Sequence, residues 1–86
     1  MSTKLKVFSV KDSKANAHIT PFFLPTTEMA IRVFSDCAKD TSHDFGKHPE
    51  DYTLFEQGSF DVMSGTFQLL DTANPIGKAV DFIIKE

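Results

Sequence analysis

The side chains best suited to hold a metal or to drive nucleophilic chemistry are few: one cysteine and three histidines. Cys37, His43 and His48 fall within 12 positions, spaced Cys-x₅-His-x₄-His. Zinc sites normally use tighter pairs with a second pair elsewhere, and only Asp44 or Asp51 could complete this one. Nucleophilic catalysis needs a Cys or Ser held beside a base by a recognisable local motif, and none is present. Gly46-Lys47 precedes His48 rather than Ser or Thr, so no phosphate-cradling loop forms there. Glu50-Asp51 beside Pro49 reads as a solvated turn. The expectation is no enzyme, no metal and no cofactor.

Aromatic rings beside cations offer a second chemistry. Single-stranded nucleic acid is held by bases stacked on aromatic faces and by Lys or Arg on the phosphates. The chain has nine Phe, one Tyr and no Trp. Residues 1–20 carry Lys4, Lys6, Lys11 and Lys14 against Asp12, a net +3. Residues 21–61 carry Arg32, Lys39 and Lys47 against eight acids, a net −5. Candidate phosphate contacts are therefore Lys4, Lys6, Lys11, Lys14 and His18, with Arg32 and Lys47 as extensions. Phe8 and Phe22 are the candidate stacking rings. Phe22 and Phe23 must point to opposite faces if extended, so one of the two lies outside the core.

These residues need elements to position them. Residues 4–10 alternate in part and read as a strand, and residues 17–24 as its return. Pro21 cannot donate to a ladder, so the return is an edge or carries a bulge. Thr26 or Thr27 caps a helix over 27–39, where Ala30, Val33, Phe34 and Cys37 form an apolar stripe widened by Met29 and Ile31. The stripe makes Cys37 a core residue. Residues 40–51 lack periodicity and read as a long loop. Tyr52 to Gln57 reads as a strand, Gly58 as a bulge, Ser64-Gly65 as a turn and Thr66 to Leu70 as the partner strand. Asn74-Pro75 then starts a short C-terminal helix with Ile76, Ala79, Val80, Ile83 and Ile84 at helical spacing. Val80, Phe82 and Ile84 also alternate, which leaves a final strand open. The expected fold is one α+β domain over 1–86, an antiparallel sheet of about four strands from two hairpins with one main helix, in the order ββαββα. The two halves look alike at offsets of 47 and 49 residues, Val7-Phe8 with Leu54-Phe55 and Ala30-Ile31 with Ala79-Val80.

Composition sets the outer limits. The chain has 86 residues, 41% apolar, 24% charged, with a formal net charge of −3. A chain this short buries only about 60–65% of its unfolded surface. The apolar fraction suits a globular core and not a disordered tail. The acidity excludes a strongly basic nucleic-acid coat but leaves room for a local basic face. A lone cysteine forms no internal disulfide, which fits a reducing compartment. No run of about 18 apolar residues could span a membrane, and the start does not read as a signal peptide. A four-stranded sheet under one or two short helices leaves apolar surface that a homodimer would cover.

Several strings in order carry a resemblance: 6–15 (Lys-Val-Phe-Ser-Val-Lys-Asp-Ser-Lys-Ala), Pro21-Phe22-Phe23, Pro25, 30–34 (Ala-Ile-Arg-Val-Phe), Asp36, 45–56 (Phe-Gly-Lys-His-Pro-Glu-Asp-Tyr-Thr-Leu-Phe-Glu), Gly58, Phe60-Asp61 and Gly65. Over residues 4–70 the chain resembles the small non-structural protein of gokushoviruses, single-stranded-DNA bacteriophages of the Microviridae. The resemblance implies a DNA-binding accessory protein of the host bacterial cytoplasm. It would serve viral DNA replication or the switch to packaging single strands. It implies no capsid role and supplies no catalytic residues. The expected partner is single-stranded DNA, bound weakly and without much sequence preference. The alternative is a regulator whose acidic segment, Asp36 to Asp61, docks a viral or host replication protein.

Overall fold

The structure is a computed structural model that describes residues 3–83. Strand β1, Lys4–Asp12, forms the spine of a five-stranded antiparallel sheet. One edge of β1 pairs with β2, Ala17–His18, and with β3, Phe22–Leu24. β2 and β3 are two pieces of one return strand, broken around Pro21 as the missing N–H requires. The other edge pairs along its full length with β4, Tyr52–Asp61, and β4 pairs with β5, Thr66–Lys78.

Both hairpins turn by the same local chemistry. Asp12 Oδ1 accepts from the Lys14 amide at 2.9 Å, and Asp61 Oδ1 accepts from the Met63 amide at 2.9 Å. Each turn ends in a left-handed residue, Asn16 at φ 54° and Gly65 at φ 72°. Asn and Gly tolerate that region best. In β4 the register slips at Gln57–Gly58, the bulge expected from the glycine. Gly58 has φ 152°, and a Cβ there would stand 2.2 Å from the Gln68 carbonyl oxygen.

Helix α1 spans Thr27–Lys39, the expected bounds. Thr26 Oγ1 accepts from the Met29 amide at 3.1 Å, the N-cap bond. The helix lies on one face of the sheet and seals a core of Phe8, Val10, Ala30, Phe34, Ala38 and Leu54. The buried stripe is Ala30, Phe34 and Ala38, with Ile31 and Cys37 half-buried. Two expected members fall outside it: Val33 is 48% exposed and Met29 is exposed as well, because the buried stripe centres on Ala30, Phe34 and Ala38 at i, i+4 and i+8 and these two lie to one side of it.

The segment 40–51 is ordered rather than a plain loop. It forms a one-turn helix α2, Asp44–Lys47, and a 3₁₀ turn, Pro49–Asp51. Phe45 anchors it, buried against Phe34 and Tyr52 at ring separations of 5.3 and 4.7 Å. The C-terminal segment corrects another expectation. Asn74-Pro75 starts no helix: β5 runs through Pro75 to Lys78, and only Ala79–Phe82 turns, as 3₁₀. Pro75 lies on an edge strand, where a missing N–H costs little. The turn begins at Ala79 because Asp81 Oδ2 accepts from the Lys78 amide at 3.0 Å. Ile84, part of the expected C-terminal stripe, lies outside the described residues. Among those described, no helix is long and apolar enough to cross a membrane.

Candidate nucleic-acid interface

Strand alternation divides β1 between two environments. Phe8 and Val10 point into the core beneath α1. Val7, Ser9 and Lys11 take the opposite face by the period of two. Among the described residues no helix covers that face. It carries an open groove of about 470 Å³ with Val7, Ile19, Pro21, Phe67 and Leu69 as walls. Ser9, His18 and Gln57 line it as polar groups.

The polar groups form a short relay. The Gln57 side-chain amide donates to Ser9 Oγ at 2.8 Å, and Ser9 Oγ lies 2.8 Å from His18 Nδ1. An amide nitrogen only donates, so the Ser9 proton is available for Nδ1. With Nδ1 as acceptor, the neutral ring carries its proton on Nε2. His18 is exposed and rests beside the Phe55 ring at 5.4 Å. Ser9 is 3% exposed, so its hydroxyl positions the ring and cannot reach a substrate.

At the other end of the face three rings meet. Phe60 and Phe67 are 4.7 Å apart by centroids, and Phe23 lies 5.7 Å from Phe60 and 6.1 Å from Phe67. Phe23 and Phe67 are exposed. Their edges and faces are the kind of surface on which bases stack.

The expected site residues scatter. Lys11 and His18 are cross-strand partners, and Lys14 lies in the adjoining turn, so these three gather at the groove's polar end. Lys4 and Lys6 project from the α1 face instead, by alternation with Phe8. Lys6 Nζ sits 3.2 Å from the Glu56 carboxylate, and Lys4 Nζ donates to Gln68 Oε1 at 3.3 Å. Arg32 is exposed on α1 and Lys47 on α2, in the helical layer. Phe8 is 0% exposed and offers no ring face to a base. Phe22 stacks on Phe8 at 5.7 Å and packs against the core, so Phe23 is the outward member of that pair.

Sequence reasoning missed Ser9, Phe23, Gln57, Phe60 and Phe67. Strict alternation would have found Ser9 and Phe23. Beyond the Gly58 bulge the facing of β4 changes parity, which hid Phe60 and, through its cross-strand pairing, Phe67. The acids Asp36, Asp40, Asp44 and Glu50 are exposed in the helical layer, away from the groove. Among the described residues, no group of three His, Cys, Asp or Glu side chains is placed to hold a metal. Burial raises the Cys37 thiol pKa, and Asp36 and Asp40 add to the effect. His43 caps α2, its Nδ1 accepting from the Phe45 amide at 3.0 Å.

Residues 5–82 match the family model described as Phage ORF5 protein. Comparison with curated proteins and with solved structures gives no match.

Proposed function

Because the chain belongs to the Phage ORF5 protein family, we propose that it is a small non-structural accessory protein of the gokushovirus kind, binding single-stranded DNA in the host bacterial cytoplasm. Its role is in genome replication or in the switch to packaging, and it is a binding protein rather than an enzyme. The observation that carries the reading is the open sheet face. Lys11, Lys14 and His18 meet the phosphates at one end, and exposed rings are set among apolar walls along the rest. Phosphate contacts of this kind position a strand without reading its sequence. The acidic side chains of α1 and α2 lie in the opposite layer and do not face the strand.

The test is a titration of fluorescently labelled single-stranded DNA at two salt concentrations. Binding weakens with salt, by about 0.7 log units per tenfold salt for each phosphate neutralised. A Lys11→Glu, Lys14→Glu double variant loses affinity and flattens that slope. Unchanged affinity in the double variant overturns the site. Absence of binding at low salt favours the second reading, in which the exposed acids of α1 and α2 dock a viral or host replication protein.

A further inference from the structure

We infer that the tip of the second hairpin, where β4 turns into β5, is a self-association surface whose occupant is a second copy of this chain.

Residues 62–70, Val-Met-Ser-Gly-Thr-Phe-Gln-Leu-Leu, contain no charge and are bounded by Asp61 and Asp71. Apolar exposure concentrates there: Met63 is 79% exposed and Leu69 64%, with Val62, Phe67 and Leu70 also exposed. The run itself supplies no cation for a phosphate chain, Lys4 beside it is engaged by Gln68 on the α1 side, and an acid stands at each end. At the tip and outer rim an apolar partner is therefore favoured over a polyanion.

The edge itself points the same way. Within the described residues β5 pairs with β4 alone, so its outer rim is unpaired. Protected edge strands usually carry Lys, Pro or an inward charge. Here Pro75 and Lys78 guard only the far end of β5, and the stretch 66–70 has no such guard.

Shape and area agree with a second copy. The radius of gyration is 13.5 Å, and the long dimension of 41 Å far exceeds the other two, 27 and 21 Å. A compact chain of this length has a radius near 12 Å. The accessible surface is 5752 Å², whereas a monomer of this mass exposes about 5,100 Å². The excess, about 650 Å², approaches the roughly 800 Å² that each partner buries in a stable complex. A second copy also satisfies the geometry: antiparallel β5–β5 pairing about a two-fold places the same residues on both sides. It would join the two open faces into one surface.

The experiment is sedimentation equilibrium of the full chain without DNA, at tens of micromolar. The expected mass is about twice 9.6 kDa. Met63→Lys and Leu69→Lys, made separately, each return the mass to that of one chain while far-UV circular dichroism is unchanged. Val33→Lys, on the exposed side of α1, leaves the dimer intact. A native chain that sediments as one copy overturns the inference. So does a dimer that survives both hairpin variants, or one that Val33→Lys dissociates. No DNA is present, so the result is independent of the nucleic-acid reading.

Discussion

The two hairpins of this protein are built to one local plan and end in different surroundings. Each turn opens on an Asp that accepts from the amide two residues on, and each closes on a left-handed residue four positions after it. Each hairpin then leads to a helical segment that plants a fully buried alanine in the core, Ala30 in one case and Ala79 in the other. Those alanines are 49 positions apart, one of the offsets at which the sequence resembles itself. The helical segments themselves differ in reach. α1 runs for 13 residues and roofs β1 and β4, whereas the second segment is a 3₁₀ turn of 4 residues. The first turn displays Ser13-Lys14-Ala15, and the second displays Val62-Met63-Ser64. A polar turn next to a roofed strand is complete in water. An apolar turn on an unroofed strand is not, and that contrast underlies both functional readings.

The contrast is broken most severely at the roofed side. Leu54 is fully buried beneath α1. Leu54→Ala is expected to cost about 2–5 kcal/mol by lost transfer energy and a residual cavity. Urea denaturation measures it. Leu69→Ala, at an exposed position on the neighbouring strand β5, shifts the midpoint by under about 0.5 kcal/mol when measured on dilute protein. Equal losses at the two sites would mean that the outer strand β5 is packed as tightly as the roofed strand β4.

Next in size is the bulge that gives the second hairpin its facing. Gly58→Ala meets both a positive φ and the Gln68 carbonyl, so about 1–3 kcal/mol is expected. Gly65→Ala has the positive φ but open space around its Cβ, and about 1 kcal/mol is expected. A smaller loss at Gly58 than at Gly65 would show that β4 slides to relieve the contact. Such a slide moves Phe60 and Phe67 off the open face and would be seen as a change in DNA affinity.

Most of the architecture could be read from periodicity because local patterns decided it. The α1 bounds come from Thr26 and from spacing, and the bulge comes from Gly58. What could not be read depends on neighbours distant in sequence. Val33 lies on the apolar stripe read from the sequence, yet α1 turns Ala30, Phe34 and Ala38 to the core and leaves Val33 at the side. Pro75 reads as a helix start unless β5 is known to be an edge. The order of 40–51 rests on Phe45 finding Phe34 and Tyr52. The site was less legible for a related reason. Net charge along β1 counts Lys4, Lys6 and Lys11 together, while the strand sends the first two to one face and the third to the other.

That division sets the third prediction. The Lys6–Glu56 pair is partly exposed, so Lys6→Met costs under about 1 kcal/mol. If the groove is the DNA site, the same substitution leaves single-strand affinity nearly unchanged, while Lys11→Met weakens it. Anisotropy titrations of the two variants side by side decide between faces. A larger loss from Lys6→Met would move the site to the α1 side of the sheet.

The smallest expected effect is a pH dependence confined to the second turn. The Asp61 carboxyl is held below its ordinary value of 3.8, chiefly by the Met63 amide, with the Ser64 amide, the Thr3 hydroxyl and Lys4 adding to it. Its folded pKa is depressed, so its contribution to stability is complete above the ordinary value. That contribution is lost as pH falls through the folded value. Carbon-13 titration of the Asp61 carboxyl gives the midpoint directly, and a midpoint at or above 3.8 would contradict the hydrogen-bonded turn. Asn at this position keeps an acceptor oxygen for the Met63 amide but has no charge to lose. Asp61→Asn therefore preserves the turn and removes the acid sensitivity of Met63 amide exchange. If the tip is also where two copies meet, protonation of Asp61 loosens the turn that presents Val62 and Met63. The dimer would then weaken over the same acid range in the native chain and not in Asp61→Asn.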